Sequence, residues 1–108
     1  MLLICWVYGD SHVFPIDIGS EQIIGSLKKA IVVENPNRFR GVDAYSLAIW
    51  KKIIREDDKD KLGLSDLDDE LRVSWTIAEY FNEEPPKKMI HIVIQVPKPI
   101  DIKSKLHN

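Results

Sequence analysis

The chain has 108 residues, of which 44% are hydrophobic and 30% charged, with a formal net charge of -2. This length suits one domain and excludes a large catalytic architecture, and the charge gives no electrostatic case for nucleic-acid binding. The single cysteine, Cys5, excludes an internal disulfide and an all-cysteine metal site. No run reaches the roughly 18 apolar residues of a membrane span, and the apolar start lacks the features of a classical signal peptide.

The first part of the chain predicts a β-hairpin. Residues 2–8 (LLICWVY) indicate a buried strand, and residues 9–11 (GDS) have turn chemistry. Residues 13–18 (VFPIDI) indicate a second strand. Because Pro15 has no N–H to donate to a ladder, this strand is expected at an edge of the sheet or with a bulge.

A helix is expected after the hairpin. It begins at Ser20 or just after it, because serine is a preferred N-cap residue, and residues 35–37 (NPN) end it. Apolar side chains at helical spacing form one stripe, and two neighbouring lysines are expected to face solvent. The stripe is Ile24, Leu27 and Ile31, and the lysines are Lys28 and Lys29.

The second half alternates strands with polar segments. Residues 45–51 (YSLAIWK) predict a third strand, and residues 75–81 (WTIAEYF) predict a brief helical turn. Between them, residues 55–70 are mostly charged and predict a long loop with short turns. The small apolar anchors expected in this loop are Leu62, Leu64 and Leu67. Residues 89–97 (MIHIVIQVP) predict the last strand, and residues 98–108 a tail or linker.

This order of elements predicts an α+β fold, the ubiquitin-like β-grasp. A mixed sheet of four to five strands carries one main helix across one face. The first and last strands run parallel in its centre, which explains why both are so continuously apolar. The side chains expected to point at the helix are Leu3, Cys5, Val7, Leu47, Ile49, Ile90, Ile92 and Ile94.

The chain resembles the N-terminal domain, or header domain, of Crinkler-type effectors of oomycetes and some fungi. The matching pieces, in order, are LLICWVYGD (2–10), FPIDI (14–18), IIGSLKKAI (23–31), DAYSLAIWKK (43–52), LGLSDLDDEL (62–71) and IAEYFNEEPPKKMIHIVIQVP (77–97). The resemblance implies a ubiquitin-like domain at residues 1–97, followed by a tail or linker at residues 98–108. It also implies a secreted protein whose N-terminal domain contributes to delivery. The resemblance further implies a variable C-terminal domain that acts in the host cell, often in the nucleus.

The face of the sheet away from the helix, here the outer face, is the predicted interface. Two tryptophans with aliphatic neighbours form an exposed apolar patch if no other segment covers them, and such patches mark interfaces with a partner or a second copy. The predicted interface residues are Ile4, Trp6, Tyr8, Ala48, Trp50, His91, Val93 and Gln95. The alternative is that the acidic loop or the tail buries this face.

Other functions are less favoured by the sequence. Cys5 and His91 fall on opposite faces by strand parity, so no catalytic pair is expected, and no cofactor or metal site is predicted. The acidic residues between 56 and 70 leave open a PB1- or Ras-binding-like scaffold domain that docks a basic partner. A covalent modifier of the ubiquitin type needs a flexible tail that ends in Gly-Gly, whereas residues 96–99 here are VPKP. The chain is therefore not expected to be a conjugatable modifier.

Overall fold

The two most apolar strands lie side by side in the centre of one four-stranded sheet. β1 (Leu2–Val7) and β4 (Met89–Gln95) pair in parallel. β2 (Val13–Asp17) lies antiparallel on the free side of β1, and β3 (Ala48–Arg55) lies antiparallel on the free side of β4. The spatial order is therefore β2-β1-β4-β3. The predicted α+β class, the parallel centre and the edge position of the proline-containing strand are all confirmed.

The computed structural model describes residues 1–97, so the predicted tail at residues 98–108 lies outside the described residues. One long helix, α1 (Ile24–Glu34), covers one face of the sheet, and a short helix, α2 (Ile77–Tyr80), lies in the predicted 75–81 segment. Most of the predicted core is confirmed as fully or almost fully buried beneath α1. These residues are Leu3, Cys5, Val7, Leu47, Ile49, Ile92 and Ile94 from the strands, with Ile24, Leu27 and Ile31 from the helix.

The helix begins later than the serine signal predicts. α1 starts at Ile24, and its first N–H groups bond carbonyls of a distant segment instead of a serine hydroxyl. The Ile24 N–H donates to Trp75 O at 2.8 Å, and the Gly25 N–H donates to Val73 O at 3.0 Å. Because these carbonyls already satisfy the free donors of the first turn, no side-chain cap is needed. The predicted end is confirmed, since α1 stops at Glu34 before the 35–37 segment.

The prediction that Lys28 faces solvent is wrong. Its side chain is 3% exposed, and its ammonium lies 4.0 Å from Glu70 Oε1. The segment that carries Glu70 packs beside α1 and covers this position, which the helical pattern does not reveal. Lys29 does face solvent, and its ammonium lies 5.4 Å from the centroid of the Tyr45 ring.

The third strand begins later and runs further than predicted. Asp43 caps a 3-10 turn at Ala44–Ser46, because its carboxylate accepts from the Tyr45 N–H at 3.0 Å. β3 therefore starts at Ala48, and it continues to Arg55 because its C-terminal part still pairs with β4. The charged loop that follows consists of short turns, as predicted.

The prediction that Ile90 points at the helix is wrong, because the ladder between β3 and β4 contains a bulge. Lys51 pairs with Ile92 and Ile54 pairs with Ile90, so two residues of β3 oppose the single residue His91. The alternation of side chains along β4 breaks at this point. Ile90 joins a buried cluster on the outer face.

The Lys28–Glu70 pair gives a stability prediction. Replacing Glu70 with Gln removes the anionic partner of the buried ammonium. Because Glu70 itself is half-exposed and water screens the pair, the free energy of unfolding should fall by about 1 kcal/mol. Lys28→Met keeps the aliphatic stem and removes the charge, so it should leave stability unchanged or higher. Urea unfolding of both variants measures the difference. A loss in Lys28→Met larger than that in Glu70→Gln contradicts this account.

Candidate functional site

The outer face of the sheet is covered over its central part. Trp6, Ile90 and Val93 form a cluster that is 0–1% exposed, and Leu62 and Leu67 of the charged segment pack against it. The predicted exposed patch is therefore wrong for Trp6 and Val93. The sequence left this outcome open, because a loop that lies over the face removes its apolar side chains from water.

His91 is also buried, at 2% exposed, and both of its ring nitrogens have partners. The Ile4 N–H donates to Nδ1 at 2.9 Å, so Nδ1 carries no proton. Nε2 therefore holds the proton and donates it to Pro86 O at 2.5 Å. The ring supplies the acceptor for Ile4 just before the ladder between β1 and β4 begins at Cys5 and Ile92. The His91 ring therefore links β4 to β1 and to the loop at Pro86 by hydrogen bonds, and neither nitrogen is available to a substrate.

The accessible remainder of the predicted interface lies at one end of the outer face. Trp50 pairs with Val93 and is half-buried, and Ala48, also half-buried, pairs with the exposed Gln95. The Tyr8 N–H donates to Ile94 O at 2.8 Å, which places Tyr8 in the row of Gln95. We call Tyr8, Ala48, Trp50 and Gln95 the Trp50 surface. Ile4 is half-buried and lies away from it, beside His91.

A second apolar surface lies on the helix side, and sequence reasoning missed it. It consists of Ile23, Tyr45, Val73 and Trp75, whose side chains are 40–52% exposed. The first three lie around Gly25, because a Cβ atom added to Gly25 would lie 3.1–3.5 Å from each of them. The backbone bonds between the 73–75 segment and the start of α1 bring Val73 and Trp75 next to Ile23. Tyr45 reaches the same place from the 3-10 turn before β3, where its ring also faces Lys29 of α1. Because the residues come from three separate segments, no local pattern indicates the patch. We call it the helix-side patch.

Cys5 and His91 do not form a catalytic pair. Cys5 is completely buried in the core beneath α1, whereas the His91 ring lies against Ile4 and Pro86. Burial raises the pKa of the Cys5 thiol, so the nucleophilic thiolate is disfavoured in the folded protein. Within residues 1–97, no group of three or more potential ligand residues is arranged to hold a metal ion. None of the helices described there is long and apolar enough to cross a membrane.

The acidic segment between β3 and α2 is a cover for the core as well as a charged surface. It forms 3-10 turns at Glu56–Lys61 and Leu64–Asp66. Asp58 pairs with Lys61 at 3.9 Å, and the Asp66 carboxylate accepts from the Gly63 N–H at 2.9 Å. Leu62 and Leu67 anchor it as predicted, but Leu64 is 42% exposed and is not an anchor.

The class of protein follows from this geometry. A mixed sheet with a parallel central pair and one helix across one face is consistent with a ubiquitin-like β-grasp domain. The Crinkler effector protein N-terminal domain matches residues 1–95, so the chain belongs to that family. A curated relative, Crinkler effector protein 1 of the fungus Rhizophagus irregularis, is 37% identical in an alignment of 100 residues that covers 89% of this chain and 21% of the relative. The chain thus spans about a fifth of the length of that relative.

The cover of the outer face can be tested with two leucines of one segment. Leu67→Ala removes a side chain that packs on the Trp6 cluster and should lower the free energy of unfolding by about 1–2 kcal/mol. Leu64→Ala changes an exposed side chain and should stay within about 0.5 kcal/mol of wild type. Urea unfolding followed by circular dichroism gives both values. Equal losses in the two variants show that Leu67 does not anchor the segment.

The buried thiol predicts both reactivity and pH dependence. In the folded protein at about pH 8, iodoacetamide should not alkylate Cys5, whereas the urea-unfolded chain should gain one adduct by mass spectrometry. Because the pKa is raised on folding, the unfolded chain loses its proton first, above about pH 8.5. The stability from this group is present below that pH and declines as pH rises further. Rapid alkylation of the folded protein contradicts the assignment of Cys5 to the core.

The Cys5→Ala variant is the control for the pH dependence. It lacks the thiol, so the stability difference between wild type and Cys5→Ala should narrow as the pH rises from about 8 to about 10. A constant difference over this range shows that the thiol does not contribute to the alkaline loss.

Proposed function

We propose that the chain is a non-catalytic, ubiquitin-like interaction domain at the N-terminus of a secreted, host-directed effector. This domain contributes to delivery and to self-association or partner binding. Membership of the Crinkler N-terminal family is the observation that carries this proposal. The matched region is only 21% of the curated effector, which supports a modular protein in which another part acts on the host. That action takes place in the host cell, and in the host nucleus as the family resemblance implies.

The Trp50 surface is the part of the predicted interface that supports binding. Tyr8 and Trp50 combine large apolar area with a polar group at the edge of the ring, and such residues dominate the energetics of interfaces. Gln95 is exposed among them and adds amide donors and acceptors. Trp6 and Val93 lie beneath or beside this surface as buried support, whereas His91 is buried at the other end of the outer face. A second copy of the domain is the simplest occupant, since a twofold contact needs only one self-complementary surface.

A PB1- or Ras-binding-like scaffold role that uses the acidic segment is the alternative. It requires carboxylates that are free to meet a basic partner. Asp58 and Asp66 already bond within the segment, Asp57 pairs with Arg55 of β3, and two leucines of the segment are anchored on the core. These contacts favour a covering role. A complex that dissociates steeply as salt increases supports the scaffold role, whereas an apolar contact tolerates salt.

Two matched tryptophan substitutions test the surface used for association. Trp50→Asp places a charge in the Trp50 surface and should shift a concentration-dependent dimer to monomer, or weaken it at least about tenfold, in sedimentation velocity. Trp75→Asp places the same charge in the helix-side patch and should leave association unchanged. Circular dichroism of both variants checks that the fold is intact.

The outcomes of this comparison are separable. Loss of association only in Trp75→Asp would move the interface to the helix-side patch. Wild-type protein that stays monomeric at high concentration contradicts self-association, and binding to a partner protein then carries the proposed role.

A further inference from the structure

An apolar pocket lies at the opposite end of the outer face from the Trp50 surface. Its volume is about 320 Å³, near the lower end of the range of small-ligand sites and close to the room that one or two large side chains need. Leu2, Ile4 and Pro85 form its apolar walls together with the His91 ring. Leu2 is 49% exposed, so the pocket opens beside an apolar side chain that already meets solvent. We call this cavity the loop pocket.

The walls of the loop pocket are held in place without an occupant. The His91 ring bonds both walls: Nδ1 accepts from the Ile4 N–H, and Nε2 donates to Pro86 O. The two consecutive prolines, Pro85 and Pro86, further limit the conformations of the loop. A ligand therefore meets a preformed site, which reduces the ordering cost of binding.

The rim of the loop pocket carries a net positive charge. Glu84, Lys87 and Lys88 line it and are all exposed. Within residues 1–97, neither lysine is within ion-pair distance of a carboxylate. Both lysines also line a neighbouring open cavity with Glu56 and Asp57, where Asp57 pairs with Arg55 at 3.9 Å. An apolar cavity beneath two unpaired ammonium groups suits an apolar group that is flanked by carboxylates.

The backbone of the loop also singles out this rim. Lys88 has φ of 65°, and it is the one residue other than glycine with positive φ among residues 1–97. Glycine or asparagine adopts this left-handed conformation with less strain. A lysine at this position costs backbone strain, but it places an ammonium group at the mouth of the pocket. Strained residues are enriched at functional sites.

We propose that the loop pocket binds an acidic segment of a partner protein. One large apolar side chain of that segment enters the cavity, and flanking carboxylates pair with Lys87 and Lys88. The inference rests on the proposed interaction role, because the occupant is a protein. It concerns a site separate from the Trp50 surface, so each site can fail without the other.

Titration of the whole chain with capped five-residue peptides tests the site. The probe is acetyl-Glu-Glu-Leu-Glu-Glu-amide, followed by amide chemical shifts in nitrogen-15-labelled protein. Shifts should concentrate at Ile4 and His91 and in the 84–88 loop. An otherwise identical peptide with alanine in the centre should bind about tenfold more weakly, because it loses most of the apolar burial. Raising sodium chloride from about 0.05 M to about 0.5 M should weaken binding of the leucine peptide.

Substitutions at the rim separate binding from folding. Lys88→Gly removes the charge and the backbone strain together, so it should raise the melting temperature or leave it unchanged while weakening the peptide about fivefold. Lys87→Glu should weaken binding further by placing a like charge at the rim. Lys61→Glu is the matched control, because it makes the same change of charge at an exposed lysine that does not line the loop pocket. This variant should bind the peptide as wild type does. Trp50→Asp should also bind the peptide as wild type does.

Several results overturn the proposal. Equal affinity for the leucine and alanine peptides, or shifts located away from the loop pocket, contradicts insertion of an apolar side chain. Unchanged binding in Lys88→Gly and Lys87→Glu contradicts the role of the rim. Octanoate that shifts Ile4 and His91 when no peptide does shows a site for small carboxylates instead. If the wild-type chain associates through the Trp50 surface but binds no peptide, the loop-pocket proposal is refuted and the proposed function is not.

Discussion

The parallel pairing of β1 with β4 is the constraint on which the rest of the structure depends. Two central strands that are apolar on both faces must be covered on both faces, or the sheet exposes its core to water. α1 covers one face, and the charged segment between β3 and α2 covers the other with Leu62 and Leu67. The most polar segment of the chain therefore contributes two leucines to the core. A loop that only met solvent would not do so.

His91 shows how this constraint changes the interpretation of a single residue. A lone histidine in an apolar strand suggests chemistry or recognition, yet its ring completes the hydrogen bonding where β1 and β4 begin to diverge. The β3 bulge opposite His91 breaks the alternation of β4, and this permits the ring to reach Ile4 and Pro86 while Ile90 moves to the outer cluster. A buried polar side chain is stable in this position because both nitrogens have partners.

Covering the centre of the outer face leaves side chains accessible at its two ends. Trp50 and Gln95 remain accessible at one end, and the loop pocket opens beside Leu2 at the other. The ends differ in chemistry, since one is aromatic and uncharged while the other is a cavity below two lysines. The two proposed binding sites are therefore spatially separate, and each favours a partner of different chemistry.

The sequence by itself determined the order of elements, the α+β class, the central parallel pair and most of the core. Strand parity shows which side chains share one face of the sheet. It therefore correctly predicted that Leu3, Cys5 and Ile49 are buried beneath α1. The tertiary structure decided what lies over each face and which side chains meet solvent. Lys28 is buried by a segment far along the chain, where Glu70 lies, and Trp6 is buried by Leu62 and Leu67. Local patterns show which face of an element is apolar, but only long-range packing decides whether that face stays open to a partner.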